Sequence, residues 1–96
     1  MNENIDELTI QYEDKGQVLI KEIDKVVLSR GSWTTIIFRY KEWRPSLSEY
    51  GPDKYSIRRY RKVGGEYRYQ SKFTISSADQ ARKLIDALEG WIGKAK

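Results

Sequence analysis

The chain has 96 residues, a net charge of +4, and neither cysteine nor histidine. This length accommodates one domain with a small core. The two missing residue types exclude disulfides, the common zinc sites and the usual histidine-activated nucleophiles, so we expect no enzyme, no metal and no cofactor. No apolar run approaches the roughly 18 residues of a membrane span. We therefore expect a cytoplasmic protein, nucleoid-associated if it is bacterial, with no membrane partner and no small-molecule substrate.

The first 16 residues are polar and acidic, with one short apolar alternation at Leu8, Ile10 and Tyr12. This pattern predicts an acidic N-terminal arm that is either mobile or an added edge strand. Residues 17–93 are expected to form the single domain, and residues 94–96 a tail.

Two strands are predicted at the start of the domain. Residues 17–29 are rich in Val, Leu and Ile, which indicates a long strand with a bend near residues 22–25. Residues 33–43 consist mainly of β-branched and aromatic residues, and successive side chains of a strand point to opposite faces. The expected core face carries Thr34, Ile36, Phe38 and Tyr40. The opposite face carries Trp33, Arg39, Lys41 and Trp43.

The most basic stretch is residues 55–72, where six basic residues and one acid give a net charge of +5. It follows a loop, residues 44–54, that contains both prolines. Gly64-Gly65 divides it into two strand arms, because glycine accepts the positive φ angles of a tight hairpin turn. Alternation directs Tyr55, Ile57, Tyr67 and Tyr69 towards the core and Arg58, Tyr60, Lys62, Arg68 and Lys72 outwards. Arg59 and Arg61 fall on the inward parity and do not fit this arrangement.

A helix is predicted after the second arm. Ser76 or Ser77 can cap it, with Asp79 or Gln80 three residues on. One helical stripe is formed by Ala81, Leu84, Ile85, Leu88 and Ile92. The links between strands are too short for crossovers, so the expected fold is α+β: a four-stranded antiparallel sheet followed by one C-terminal helix that covers one sheet face.

The uncovered sheet face combines cations with flat rings. Cations follow phosphates and rings accept unstacked bases, as single-stranded nucleic acid requires. For any single one of these residues, packing and solvation of the sheet are as good an explanation as binding. The same combination of aromatic and basic residues on three strands favours binding. We interpret the face as a site for single-stranded DNA, or RNA, with little sequence specificity. The candidate residues are Trp33, Arg39, Lys41, Trp43, Arg58, Tyr60, Lys62, Arg68 and Lys72.

Four segments carry a resemblance to a known family. They are VVLSRGSW at 26–33, the W-x-x-x-x-x-R pattern from Trp33 to Arg39, KYSIRRY at 54–60, and FTIS at 73–76. In order and spacing they resemble the positive cofactor four family of transcriptional coactivators, particularly its small bacterial members. The resemblance covers residues 18–88. The chain departs from it at Lys72-Phe73, where the family has lysine-glycine, and at Ser77-Ala78, where it often has proline.

The resemblance implies a homodimer that binds single-stranded DNA along its sheet, in transcription or DNA maintenance. It implies that Trp43 and Tyr60 stack on bases. It implies phosphate contacts for Arg39, Lys41, Arg58 and Lys72.

Two other functions fit the same residues. Residues 55–88 suit a sheet module that binds duplex DNA, like the DNA-binding arm of integrases. Aromatic residues and arginine are also enriched at protein interfaces, so the open sheet or Trp91 could hold an acidic protein partner.

Overall fold

The computed structural model describes residues 4–93. A 3-10 helix at Ile5–Glu7 comes first, and the strands are β1 (Tyr12–Asp14), β2 (Gln17–Ser29), β3 (Trp33–Arg44), β4 (Glu49–Tyr50), β5 (Lys54–Val63) and β6 (Glu66–Ile75). The helix α1 (Ala78–Ile92) follows them. The predicted tail, residues 94–96, and the first three residues of the predicted arm lie outside the described residues.

All strand pairs are antiparallel, and the main sheet has the order β1-β2-β3-β5-β6. The short strand β4 pairs with the end of β3, inside the segment predicted as a loop. The α+β class, the antiparallel sheet and the single C-terminal helix are confirmed. The prediction of four strands is wrong, because the short strands β1 and β4 add to the four long ones.

Local signals in the sequence predict one turn and one bend correctly. Gly64 and Gly65 have φ angles of 59° and 83°. A two-residue hairpin loop with a type I′ turn requires positive φ angles at both residues. The pairing of β2 with β3 shifts by one residue between Glu22 and Asp24, where a bend was expected. Such a bulge bends the strand that carries the extra residue.

The core lies on one face of the sheet, which we call the inner face. Its centre is the row Thr34, Ile36, Phe38 and Tyr40 on β3, all buried as predicted. Ile5, Leu8 and Ile10 pack over this row and complete the cluster with Tyr60. The N-terminal segment, rather than the helix, therefore covers the inner face.

Hydrogen bonds hold the N-terminal segment in place. Lys25 Nζ donates to the carbonyl oxygens of Leu8, at 2.6 Å, and Asp6, at 2.9 Å. The Glu22 carboxylate accepts from the Thr9 hydroxyl and from the backbone N–H of Ile10. Both side chains project from β2, so this strand anchors the segment along the edge of the core.

The helix begins with a reciprocal cap. Ser77 Oγ accepts from the backbone N–H of Gln80 at 3.1 Å, and Gln80 Oε1 accepts from the backbone N–H of Ser76 at 2.9 Å. Within the described chain no helix residue is buried. The apolar stripe is half-buried at Ala81 and Leu84 and exposed at Ile85, Leu88 and Ile92. The prediction that this helix covers the sheet is wrong for the single chain.

No helix in the described part of the chain is long and apolar enough to cross a membrane.

Candidate nucleic-acid interface

The register between β3 and β5 decides which side of the sheet each candidate residue occupies. Residues directly opposite one another in an antiparallel pair project from the same face. Thr34 pairs with Tyr60, Ile36 with Arg58, and Phe38 with Ser56. Arg58 and Tyr60 therefore share the inner face with the core, and Tyr60 is only 5% exposed.

This register contradicts the predicted directions on β5. Arg58, Tyr60 and Lys62 were placed on the same face as Trp33, whereas they lie on the opposite one. The apolar Tyr55 and Ile57 indicated an inward parity, but the small Ser56 fits against Phe38 and is buried in their place. Arg59 and Arg61, which did not fit the predicted parity, pair with Thr35 and Trp33.

The second face, which we call the outer face, has a tryptophan surrounded by arginines at one end. The guanidinium carbon of Arg59 lies 4.4 Å from the centroid of the Trp33 ring, and that of Arg61 lies 5.4 Å from it. Arg68 on β6 pairs with Arg61 and continues the row across three strands. All four side chains are exposed. We call Trp33, Arg59, Arg61 and Arg68 the Trp33 cluster.

The charges of the Trp33 cluster are not neutralised. Among residues 4–93, carboxylates form ion pairs with Arg39, Lys41, Lys54 and Lys83. None of the ion pairs in this part of the chain includes an arginine of the cluster. The cluster thus presents three cations and an indole ring to solvent, which is suited to phosphates and to a stacked base.

The other end of the outer face is less available. Asp53 lies 3.0 Å from Lys41 Nζ and 3.7 Å from an Arg39 guanidinium nitrogen, so one carboxylate offsets both predicted phosphate contacts. Trp43 is half-buried and packs edge-on against Tyr50 of β4, with ring centroids 5.0 Å apart. Lys21 Nζ lies 5.3 Å from the Tyr50 ring centroid.

An apolar row separates the two ends of the outer face. Each of its members is the cross-strand partner of the next, on β2, β3, β5 and β6 in turn. They are Val26, Ile37, Ile57 and Phe73. Val26 and Phe73 are 55% and 53% exposed. Nothing in the described chain covers these two residues fully, although they are apolar.

A bulge divides the basic residues of β6 between the two faces. Arg59 pairs with Ser71, but Tyr60 pairs with Tyr69, so Gln70 is the extra residue. Lys72 pairs with Arg58 on the inner face, whereas Arg68 pairs with Arg61 on the outer face. The sequence alternation predicted one face for both lysine and arginine, and this prediction is wrong because it assumed an unbroken ladder.

The inner face has its own group of rings and cations beside the core. The Arg58 guanidinium lies 5.3 Å from the Tyr69 ring centroid, and Lys62 Nζ lies 5.3 Å from that of Tyr67. Tyr69 meets Tyr60 edge-on at 6.2 Å, and it is half-exposed although it was predicted to point inwards. Lys62 and Lys72 are exposed.

The nine candidate residues thus form two sets. Trp33, Arg39, Lys41, Trp43 and Arg68 lie on the outer face, and Arg58, Tyr60, Lys62 and Lys72 lie on the inner face. The sequence analysis missed three residues of these surfaces, Arg59, Arg61 and Tyr69. For Arg59 and Arg61 the signal was that alternation placed these charged residues on the core side of the strand. Only the strand register shows on which face they lie.

Burial changes the acidity of two inner-face phenols. Desolvation is the main cause that raises the pKa of Tyr40 and of Tyr60 above the ordinary value. Nearby Arg58 opposes the rise at both, and at Tyr60 it also acts through a hydrogen bond. Both phenols therefore release their proton less readily in the folded chain than an exposed tyrosine does.

In residues 4–93, no group of three or more His, Cys, Asp or Glu side chains is arranged to hold a metal ion. Comparisons with protein-family models, with curated proteins and with solved structures give no match to the chain.

Proposed function

We propose that this protein binds single-stranded nucleic acid, DNA or RNA, with little sequence specificity. The observation that carries the proposal is the Trp33 cluster. Its exposed indole ring lies against Arg59 and Arg61, and no carboxylate of the described chain pairs with these arginines or with Arg68. Guanidinium groups contact phosphates, and both the indole and the guanidinium planes stack on bases. None of these contacts selects a base, so affinity without sequence preference follows.

The arrangement favours a single strand over a duplex. A stacked base must be free of its neighbours, and the bases of a duplex have their flat faces covered. A sheet can also enter the major groove of a duplex, and the arginines alone could contact the phosphates of either ligand. The exposed Trp33 ring is therefore the feature that favours a single strand.

Arg39 and Lys41 contribute less to the proposed binding than the sequence suggested. A phosphate there must compete with Asp53, which already contacts both side chains. Charge contacts at this end should therefore be weaker than those at the Trp33 cluster.

A homodimer belongs to the same proposal. The helix has an apolar stripe that the described chain leaves largely exposed, and a helix of this length is marginal in water without packing. A second copy supplies an apolar surface of the right kind, since Val26 and Phe73 of the outer-face row are also exposed. Membership of the positive cofactor four family, and a role in transcription or DNA maintenance, are consistent with this arrangement and remain part of the proposal.

Fluorescence anisotropy with labelled oligonucleotides tests the binding. We expect oligo(dT) and oligo(rU) of 20 nucleotides to bind more tightly than a duplex of the same length, and to lose affinity steeply between 50 and 200 mM salt. A preference for the duplex would support the integrase-like alternative. Absence of binding to any nucleic acid at 50 mM salt would instead favour a protein-interaction module with an acidic partner.

A further inference from the structure

The β5–β6 hairpin carries two pairs of directly opposed cations, one pair on each face. Arg58 lies opposite Lys72 on the inner face, and Arg61 lies opposite Arg68 on the outer face. Like charges in this position destabilise a strand pair. Across residues 4–93 no ion pair includes any of the four side chains, so both pairs retain an unbalanced positive charge.

An aromatic ring accompanies each cation pair. On the outer face the Arg61 guanidinium lies 5.4 Å from the Trp33 centroid, and on the inner face the Arg58 guanidinium lies 5.3 Å from the Tyr69 centroid. Trp33 is 40% exposed and Tyr69 51% exposed, so each ring is accessible to a ligand. The same combination of two cations and one ring therefore occurs twice, on opposite sides of one hairpin.

The inner pair also has an unsatisfied donor. Arg58 Nε is buried and has no hydrogen-bond partner in the described chain. A buried donor without a partner is costly, but this nitrogen is enclosed and cannot itself contact an anion. A phosphate at the Arg58–Lys72 pair would therefore contact Lys72 and the remaining nitrogens of the guanidinium.

The two pairs are connected around the edge of the sheet. β6 is the last strand in the sheet order, and its residues 68–74 are all exposed. The Gln70 bulge lies between Arg68 and Lys72 on this edge. A flexible polyanion can therefore pass from one face to the other across a short stretch of β6, without obstruction by another strand.

We infer that one nucleic-acid strand crosses the edge of β6 and is held on both faces of the hairpin. A phosphate binds at each cation pair, and a base stacks on Trp33 on the outer side and on Tyr69 on the inner side. The inference rests on the proposed function, because it assumes that the ligand is a single strand. It adds that the inner-face residues, although they lie beside the core, bind the same strand as the Trp33 cluster.

The test compares variants of the two pairs in binding to labelled oligo(dT) of 20 nucleotides. Arg68→Gln removes one outer cation, and Lys72→Gln removes one inner cation from an exposed position. Lys83→Gln on the helix is the control for loss of charge, because it also removes one exposed positive charge, here from a lysine that pairs with Asp79. We expect each hairpin variant to lose at least fivefold more affinity than the control, and to lower the salt slope by about one.

The outcomes separate the inference from the proposed function. If the parent binds oligo(dT) and Arg68→Gln weakens it, but Lys72→Gln behaves like Lys83→Gln, the strand stays on the outer face and the inference is wrong while the proposed function stands. If the parent does not bind any single strand, the proposed function itself fails.

Stoichiometry and length provide the second measurement. A strand that crosses the edge predicts one 20-nucleotide strand per hairpin. It also predicts affinity at least tenfold weaker for the dinucleotide d(TpT), whose single phosphate cannot occupy both pairs. Two 20-nucleotide strands bound per hairpin would show that each face binds its own strand. That result would contradict the inference that one strand crosses the edge of β6.

Discussion

The guanidinium of Arg59 lies 4.4 Å from the centroid of the Trp33 ring, although the two residues are not direct partners in the sheet. Trp33 pairs with Arg61, and Arg59 is its diagonal neighbour two residues away. Diagonal neighbours of this kind are within reach for long and aromatic side chains. The contact orients the indole ring on the outer face, so ring and cations are positioned before any ligand binds.

Replacement of the indole tests the stacking contact. We expect Trp33→Ala to weaken binding to oligo(dT) by about 1–3 kcal/mol, which is roughly 5- to 150-fold, because one base loses its stacking partner. Anisotropy titration at 100 mM salt measures this loss. Tyr12→Ala, which removes an exposed ring from the acidic edge strand β1, is the control and should bind like the parent. Equal affinities for Trp33→Ala and the parent would contradict the stacking contact.

The buried position of Tyr60 changes the expected effect of its substitution. The resemblance implied a ring that stacks on bases, whereas the ring is 5% exposed and belongs to the core cluster. We now expect Tyr60→Ala to lower the free energy of unfolding by about 3–5 kcal/mol. Urea denaturation followed by circular dichroism measures this change. A stable Tyr60→Ala variant with impaired binding would restore the original interpretation.

The N-terminal segment should contribute to stability through its apolar side chains. Leu8 is 1% exposed, so we expect Leu8→Ala to cost about 2–5 kcal/mol in urea unfolding. Glu7→Ala removes an exposed neighbour from the same segment and should change the stability by less than about 0.5 kcal/mol. A Leu8→Ala variant as stable as Glu7→Ala would mean that the segment does not pack on the sheet in solution.

Alkaline pH should destabilise the fold through its buried phenols. The pKa of Tyr60 is raised in the folded state by burial, so the folded protein holds this proton more tightly than the unfolded chain. The resulting stability is fully present below the ordinary tyrosine pKa of about 10 and is lost as the pH rises through the higher folded value.

The comparison that tests this effect is between the parent and Tyr60→Phe, measured by urea unfolding at pH 8 and pH 11. The parent should lose more stability than the variant over this interval, because phenylalanine has no proton to release. Titration of lysines is common to both proteins and cancels in the comparison. Equal losses would show that the phenol is free to ionise in the folded state.

The exposed helix stripe makes the proposed homodimer testable. We expect sedimentation analysis to show a dimer for the parent and a monomer for Leu88→Glu, because a charge in the stripe opposes apolar contact. Lys83→Glu also introduces a negative charge into the helix, but outside the stripe, and should remain dimeric. A monomeric parent at 100 μM would leave the stripe to a different protein partner.

The parts of the fold that could be predicted depend on local signals. The buried face of β3, from Thr34 to Tyr40, followed from alternation in a strand with no bulge among these residues. The Gly64-Gly65 turn and the Ser77 cap followed from residues that satisfy the local backbone. Each of these features is decided within a few residues of sequence.

The parts that could not be predicted depend on pairing between distant residues. The direction of Arg58 is set by its position opposite Ile36, and that of Arg68 by a bulge at Gln70. A shift of one residue moves every side chain of a strand to the other face. The burial of Leu8 likewise depends on the distant strand β3, and its short alternation indicated only an arm or an edge strand. The sequence therefore predicted one surface, whereas the strand register divides the nine candidate residues between two faces.

The core also has a consequence for how the chain folds. Its cluster joins Leu8, near the start of the sequence, to Phe38 and to Tyr60 on β5. Contacts between residues so far apart in sequence require closure of long loops, and proteins dominated by such contacts refold in milliseconds to seconds rather than microseconds. During synthesis the apolar side chains of the N-terminal segment remain without partners until β3 has formed, and the cluster is complete only when Tyr60 of β5 joins it.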